Sequence, residues 1–402
     1  MATRSILNRY IFKELLSFFI ISLLTFTIIM LMGRMMKLAD LFLNKGLSIF
    51  DIVRLITYIL IPFFVYIVPM SLLLTILLSL GRLSSDGEII AMKSSGISLY
   101  QLAIPIGLFA SLAFFLTLIL TLYAYPWGFK NLRNLAFEIA KNQLEVGIQE
   151  RVFSDDFEGM VIYVDKVSVK GGMMRGLFIT DKRDPLISTT IVAKEGYISS
   201  DPKSMLISLR LFDGYFHRAG KDFQSYQIGN FSTYDINLDL KTALSEVKRE
   251  KSDYREMGLL SLKEAIINTL QDNPKINALK VEYYKKFTIP SACFILVLIG
   301  VPLGIRKMRG GKSYGFVISI IILFSYYFLL ITTESLGKNG KTSPFLIMWM
   351  PNILMGILGV YLFIKANQES PPFFLTWFNQ CSNTLSPLSR KTFQKFINLF
   401  KK

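Results

Sequence analysis

Long apolar stretches alternate with short polar segments along most of this chain. A helix rises 1.5 Å per residue, so roughly 20 apolar residues cross the ~30 Å hydrocarbon core of a bilayer. Six windows meet this requirement: residues 15–36, 55–80, 99–125, 287–305, 314–333 and 345–364. No charged residue occurs between Arg54 and Arg82, or between Lys93 and Lys130. The pattern predicts a polytopic α-helical membrane protein with six transmembrane helices.

One long polar region, residues 142–240, separates the third window from the fourth and has a different period. Its β-branched and aromatic runs, such as Met160–Val167, alternate with turn residues such as Gly171-Gly172 and Asp201-Pro202. Alternation with period two between turn signals is typical of antiparallel strands. We therefore predict an antiparallel β domain, a sandwich or a jelly roll, between helices 3 and 4.

Charge bears on the partners and the orientation. The chain is 52% hydrophobic and carries a formal net charge of +16. Beside six spans, excess Lys and Arg are expected to meet anionic lipid headgroups, so membrane lipids are predicted partners and nucleic acid is not. Basic residues concentrate at the N-terminus, after the second span and most clearly at 306–312. The positive-inside tendency then predicts cytoplasmic termini and a β domain outside the inner membrane.

Residues suited to catalysis are few. His217, the single histidine, lies in a predicted strand, and Cys293 and Cys381 suggest neither a disulfide framework nor a metal site. Residues 309–313 (RGGKS) resemble the end of a P-loop, but Arg306 stands where that motif needs glycine. The chain is predicted to be no enzyme, to bind no cofactor or metal, and to use ATP only through a separate ATPase.

Two cations stand out where the first span leaves the membrane toward the β domain. Arg34 and Lys37 are three residues apart and share one helix face. The positive-inside tendency works against cations on that side, so an anionic partner is expected. Two interpretations stay open: ordinary phospholipid phosphates, or a phosphorylated substrate.

The loop after the second span, residues 81–98, predicts a short helix that Ser85 or Asp86 caps and Gly96 ends. A helix lying on the membrane face is what a permease offers to a separate motor domain. Its predicted contacts are the charge of Glu88 and the apolar side chains of Ile89, Ile90 and Met92. Many membrane proteins have short loop helices, so this motif alone is weak.

Together these features resemble the LptF/LptG (YjgP/YjgQ) permeases of the lipopolysaccharide exporter. The resemblance rests on six spans, a β domain between the third and fourth, and the loop pattern G-[RK]-L-x-x-x-x-E-x-x-x-M-x-x-x-G at 81–96. Residues 125–128 (YPWG), 301–303 (VPL) and 335–340 (SLGKNG) are more similar to LptF than to LptG.

The resemblance implies a half-transporter of the bacterial inner (cytoplasmic) membrane. Its implied partners are a paralogous LptG-type permease, an LptB-type ATPase dimer, an LptC-type periplasmic bridge protein and lipopolysaccharide. Glu88, with Ile89 and Met92, would couple to the ATPase, while Arg34 and Lys37 would lie near the sugar-phosphate end of the lipid.

The β domain would hold acyl chains. Strand alternation places Met205, Ile207, Leu209 and Leu211 on one face of their strand, opposite Arg210. We predict that this apolar face, with Ile207 and Leu209, lines the substrate groove.

The alternative is a permease of the lipoprotein-release or efflux type of ABC exporter, although those layouts place the extramembrane domain after the first helix. A membrane scaffold without transport is a second alternative. The predicted division of the chain is 1–130, transmembrane helices 1–3 with the coupling helix at 84–96; 131–258, the periplasmic β-jelly-roll domain; 259–366, linker helices and transmembrane helices 4–6; and 367–402, a basic amphipathic cytoplasmic tail.

Overall fold

This computed structural model describes residues 2–45, 48–147, 150–157, 159–167, 173–184, 187–201, 206–220, 226–237, 254–269, 275–305, 312–340 and 342–368. Before the strands come helices α1 (Ala2–Lys45), α2 (Ile49–Ser85), α3 (Glu88–Ser94), α4 (Leu99–Ile119) and α5 (Tyr125–Gly147), with a π-helical turn (Leu120–Ala124) between α4 and α5. After the strands come α6 (Leu259–Asn268), α7 (Lys275–Ile305), α8 (Lys312–Lys338) and α9 (Pro344–Asn367).

Six helical segments within the described residues are long and apolar enough to cross a membrane. They are Ile6–Arg34, Ile49–Ser85, Leu99–Ile139, Lys275–Ile305, Phe316–Lys338 and Pro344–Asn367. Each contains or overlaps one predicted window, which confirms the polytopic architecture. The predicted tail beyond residue 368 and residues 309–311 of the P-loop-like segment lie outside the described residues.

The first compact unit comprises Met1–Gly33, Ile61–Tyr125 and Met257–Lys402. Within it, α7 packs closely on α2 because glycine faces the contact. A Cβ added at Gly304 would lie 2.8 Å from the Cβ of Leu80, closer than real Cβ atoms approach. Small residues at such contacts allow helix backbones to approach, which is how membrane helices gain packing contacts.

A buried amide joins the last three spans of this unit. The Asn352 side chain on α9 accepts a hydrogen bond from the Tyr326 hydroxyl on α8 at 2.9 Å and donates one to the backbone carbonyl of Thr288 on α7, also at 2.9 Å. Because both polar ends of the amide are satisfied, the contact stabilises the bundle instead of leaving a polar group in an apolar interior.

The second unit comprises Arg34–Leu60 and Pro126–Glu256. It contains an antiparallel sheet of β1 (Phe153–Phe157), β2 (Met160–Val167), β3 (Met173–Asp184), β4 (Ile187–Asp201), β5 (Leu206–Gly220) and β6 (Tyr226–Asn237), paired in chain order. The predicted antiparallel β domain between spans 3 and 4 is therefore confirmed. Its six described strands form a meander, each pairing with its chain neighbours, without a Greek-key crossover among them.

The pairing of five strands is interrupted along a common row. Each ladder from β2 to β6 skips one residue pair there, while the register is the same on both sides of that gap. The β3–β4 ladder has a separate register shift between Asp181 and Asp184. The skipped positions form a continuous row across five strands: Asp165, Gly176, Lys194, Asp213 and Ser232. Two of them have left-handed backbones, Gly176 with φ 65° and Asp213 with φ 48°. We call this row the crease.

Core-facing side chains change phase at the crease. On β5 the core-facing residues are Leu209 and Leu211 before the crease and Phe216 after it. The core-facing positions therefore switch from odd-numbered to even-numbered residues. On β3 they are Leu177 and Met174, three positions apart. Strict alternation would put such residues on opposite faces. The skipped row therefore lets the residues on both sides of it pack in one core cluster.

Candidate functional site

The short helix after the second span begins at a glycine. Gly87 is the residue before the first turn of α3, with φ 77° and no side-chain cap. The predicted capping by Ser85 or Asp86 is therefore wrong: α2 continues through Ser85, and only a residue that tolerates a left-handed backbone reverses the chain there.

The end of α3 is as predicted. Gly96 has φ 83°, and its N–H donates to the carbonyl of Lys93 at 2.9 Å, while the N–H of Ile97 donates to the carbonyl of Met92 at 3.1 Å. These two bonds make a Schellman motif, which explains why glycine is needed at this position.

The apolar residues of α3 face different ways. Ile89 is 3% exposed and lies in a core cluster with Ile11 and Leu83, and Met92 packs partly against the same cluster. Ile90 is 56% exposed. Burial makes Ile89 the anchor of α3 within this chain, and its predicted contact with an ATPase stays a prediction. Ile90 is the apolar residue open to contact.

Glu88 lies in a group of polar side chains from α1, α2, α3 and the connection between α2 and α3. We call this group the Glu88 cluster: Tyr10, Glu14, Arg82, Asp86 and Glu88. The Tyr10 hydroxyl donates to the Glu88 carboxylate, 2.9 Å from Oε2 and 3.1 Å from Oε1. Arg82 donates from Nη2 to the Tyr10 hydroxyl at 3.3 Å. Its Nε lies 2.7 Å from Glu14 Oε1, an ion pair outside hydrogen-bond angles. One cation among three carboxylates leaves the cluster two charges negative.

A second group of charges lies near the start of α7 and the end of α8. Lys285 Nζ is 2.8 Å from Glu334 Oε2 and 3.8 Å from Glu282 Oε1. Lys338 pairs with the other oxygen of Glu334 and lies 3.7 Å from Glu282 Oε1. The Lys285 and Glu282 side chains are each 5% exposed. We call these four residues the Lys285 cluster, whose charges balance.

The apolar windows do not reveal the Lys285 cluster, because Glu282 and Lys285 precede the fourth window while Glu334 and Lys338 follow the fifth. A weak signal existed. Glu282 and Lys285 are three residues apart, and Glu334 and Lys338 are four apart, the spacings at which opposite charges face each other on a helix. Neither pair shows that the two helices bring them together. The neighbouring Lys286 Nζ lies 3.5 Å from the Thr121 carbonyl in the π-helical turn.

The two predicted substrate cations lie on one continuous helix. Arg34 is the last residue of the first span, its side chain is exposed, and α1 continues through Lys37 to Lys45. The side chain of Lys37 lies outside the described residues. The helical spacing of the two positions is as predicted, and their role in binding stays a prediction.

The strand proposed to line the groove alternates as expected next to Arg210. Leu209 and Leu211 are fully buried in the β-domain core. Arg210 lies on the opposite face and donates to Asp235 from Nε at 2.8 Å and from Nη2 at 2.9 Å. Ile207 pairs with Ser200 on β4, and its side chain lies outside the described residues. The apolar face of β5 therefore faces the core of the β domain.

Metal ligands do not converge in the part of the chain that the structure describes: no three residues of the His, Cys, Asp and Glu types are placed to hold an ion. The Nδ1 of His217 lies 2.6 Å from the Tyr226 hydroxyl. A structural hydrogen bond between adjacent strands accounts for this histidine.

Comparison with known proteins gives consistent matches. A family model described as the lipopolysaccharide export system permease LptF/LptG matches residues 9–365. An uncharacterised protein of Rickettsia prowazekii (strain Madrid E) is 22% identical over 374 residues, covering 89% of this chain and 98% of its own length. The lipopolysaccharide export system permease protein LptF of Escherichia coli (strain K12) is 22% identical over 300 residues, covering 74% of this chain and 77% of its own.

Proposed function

Because the chain belongs to the LptF/LptG family of lipopolysaccharide export permeases, we propose that it is the LptF-type subunit of an ABC-type export complex. In this proposal it extracts lipopolysaccharide from the outer leaflet of the inner membrane and passes it along the β domain toward the periplasmic bridge. An LptG-type permease, an LptB-type ATPase dimer and an LptC-type protein are the proposed partners, and the ATPase hydrolyses ATP.

The order of elements along the chain carries the proposal. Helix α3 follows the second span, and the sheet follows the third. A chain that crosses the membrane at every span places these two elements on opposite sides. With cytoplasmic termini, α3 is available to an ATPase in the cytoplasm and the β domain to lipid in the periplasm.

The energetics of lipid extraction support this division of labour. Moving an acyl chain from the bilayer into water costs about 0.8 kcal/mol per CH₂, on the order of 10 kcal/mol for a dozen. Extraction therefore needs a motor and an apolar receiving surface. The core-facing side of the sheet supplies apolar surface, but Leu209 has no exposed area. Lipid entry accordingly requires the sheet to open.

Glu88 is proposed to be the contact between this chain and the ATPase. Its carboxylate is half-buried, belongs to a cluster with excess negative charge, and precedes the exposed Ile90. A Lys or Arg on the partner would complete a charge-assisted hydrogen bond.

Copurification from membranes in mild detergent tests the proposal. The wild-type chain is expected to bring down an ATPase and a related six-span permease. Glu88→Lys should reduce ATPase recovery and lipid-stimulated ATP turnover, because a like charge replaces an attractive one. Glu264→Lys is the matched control, since Glu264 is an exposed carboxylate on α6, outside the Glu88 cluster. Full ATPase recovery and transport with Glu88→Lys would remove Glu88 from coupling, and a wild-type complex without an ATPase would overturn the proposed function.

Substrate contact is proposed at Arg34 and Lys37 for lipid phosphates and at Ile207 and Leu209 for acyl chains. Photo-crosslinkers at Ile207 and Leu209 should capture lipopolysaccharide when ATP is supplied, whereas one at Arg210, on the opposite face, should not. Replacing Arg34 and Lys37 together by Glu should lower this capture more than Lys13→Glu does. Capture at Arg210 alone would mean that lipid binds the outer face of the sheet.

A further inference from the structure

The Glu88 cluster joins the proposed coupling helix directly to the first span. Tyr10 and Glu14 belong to α1, Arg82 to α2 and Glu88 to α3. Among the described residues of α1, Tyr10 hydrogen-bonds Glu88 through its hydroxyl. Arg82 donates to the same hydroxyl and forms an ion pair with Glu14. The carboxylate proposed to meet the motor is therefore already attached to α1.

We propose that Tyr10 is a positioning residue that transmits motor-driven displacement of α3 to α1. The inference rests on the proposed coupling role of Glu88 and adds how movement leaves α3. Tyr10 acts through Glu88 and is not itself expected to touch the ATPase or the lipid.

The shape of α1 makes this transmission effective. The helix is continuous from Ala2 to Lys45, so Tyr10 and Arg34 are joined by about 36 Å of unbroken helix at 1.5 Å per residue. Displacement at Tyr10 therefore moves the far end, where Arg34 lies. Within this chain α1 is also the span with the fewest packing restraints: 17% of its apolar window is buried, against 61% for α2 and 67% for α7.

Packing alone does not provide an equivalent connection. Ile89 and Ile11 share one core cluster, but the apolar attraction between such side chains is non-directional. A hydrogen bond to a carboxylate is directional and roughly twice as strong as a neutral one. Tyr10 is 39% exposed, so its hydroxyl can be removed without opening a cavity.

The experiment compares Tyr10→Phe with wild type in the complete complex with its ATPase, reconstituted in liposomes. ATP turnover and lipopolysaccharide released to an acceptor are measured in the same sample. We expect ATPase recovery and turnover to stay within about twofold of wild type, while lipid released per ATP falls about fivefold, the scale of losing one charge-assisted hydrogen bond at a partly exposed site.

Two further variants make the result specific. Tyr100→Phe removes the hydroxyl of an exposed tyrosine at the start of α4 and should leave the ratio unchanged. Tyr10→Lys restores a donor of similar reach to Glu88 in a cluster with excess negative charge. Tyr10→Lys should restore most of the lipid released per ATP. A purely structural role for the tyrosine ring would not explain this recovery.

The outcomes distinguish a failure of the role proposed for Tyr10 from a failure of the proposed coupling role of Glu88. An unchanged lipid-per-ATP ratio in Tyr10→Phe, with Glu88→Lys impaired, would overturn transmission through Tyr10 and leave coupling by Glu88 intact. Loss of ATPase recovery in Tyr10→Phe would also overturn it, because Tyr10 would then serve to hold Glu88 for docking. If Glu88→Lys has no effect on any measurement, the coupling role fails, and the role of Tyr10 fails with it.

Discussion

The Lys285 cluster and the Glu88 cluster lie at opposite ends of the same helix bundle and have opposite characters. Ser84, two residues after Arg82, donates to the carbonyl of Ile305 at 2.9 Å and so places the Glu88 cluster near the end of α7. Lys285 lies twenty residues earlier on α7, about 30 Å away along the helix. The first cluster is buried with balanced charges; the second is half-exposed and negative.

This difference teaches what each charge group is suited to do. A buried ion pair contributes little net stability over an apolar pair, but removing one partner is costly. The Lys285 cluster therefore fixes the position of α8 on α7. A half-exposed group with surplus carboxylates can accept a cation from another protein.

The largest expected effect is at the buried cluster. Glu334→Ala leaves Lys285 buried without its nearest counter-charge and should lower the free energy of unfolding by about 3 kcal/mol. Denaturation of the detergent-solubilised chain measures this loss. Replacing Lys285 and Glu334 together by Leu should cost less than the single change. Glu264→Ala, at an exposed position on α6, is the control; an equal loss there would mean that burial is not the cause.

A smaller effect is expected at the half-exposed cluster. Arg82→Ala should lower the free energy of unfolding by about 1 kcal/mol or less, because the Arg82 side chain is 31% exposed. The same variant makes the cluster more negative, so copurification of the ATPase should not weaken. A loss as large as that of Glu334→Ala would show that the two clusters do not differ as burial indicates.

The smallest effect is expected where an ion pair lies on the outer face of the sheet. Hydrogen bonds from Arg210 hold the pKa of Asp235 below its usual value. A carboxyl whose pKa is lowered by folding stabilises the folded state at pH values above its unfolded pKa, about 3.9, and loses this contribution as the pH falls through its folded pKa. The difference in melting temperature between wild type and Asp235→Asn should therefore be small at pH 7 and disappear under strongly acidic conditions. A difference in melting temperature that does not change with pH would mean that packing, and not the ion pair, causes it.

Local patterns predicted the features that depend on local chemistry. Apolar length located the six spans, alternation placed Leu209 opposite Arg210, and Gly96 marked the end of α3. Each of these follows from a period or a backbone preference that a short window contains.

Features that depend on tertiary contacts were missed. The burial of Ile89 requires α1 to pack on α3, and the pairing of Lys285 with Glu334 requires α8 to pack on α7. The sequence of α3 gives no reason to prefer Ile90 over Ile89 as the surface residue. Asp213 at a left-handed position is likewise no signal by itself, because aspartate is common in ordinary turns.

The crease has a consequence for how this domain tolerates insertions and deletions. Adding one residue to a single strand normally moves every following side chain to the other face. In this sheet the core-facing positions of five neighbouring strands change phase at the crease. An insertion or deletion in β3 or β5 would move the phase change of that strand away from the row that the other strands share. Length changes are therefore expected to be tolerated in the connections between strands and not within the strands themselves.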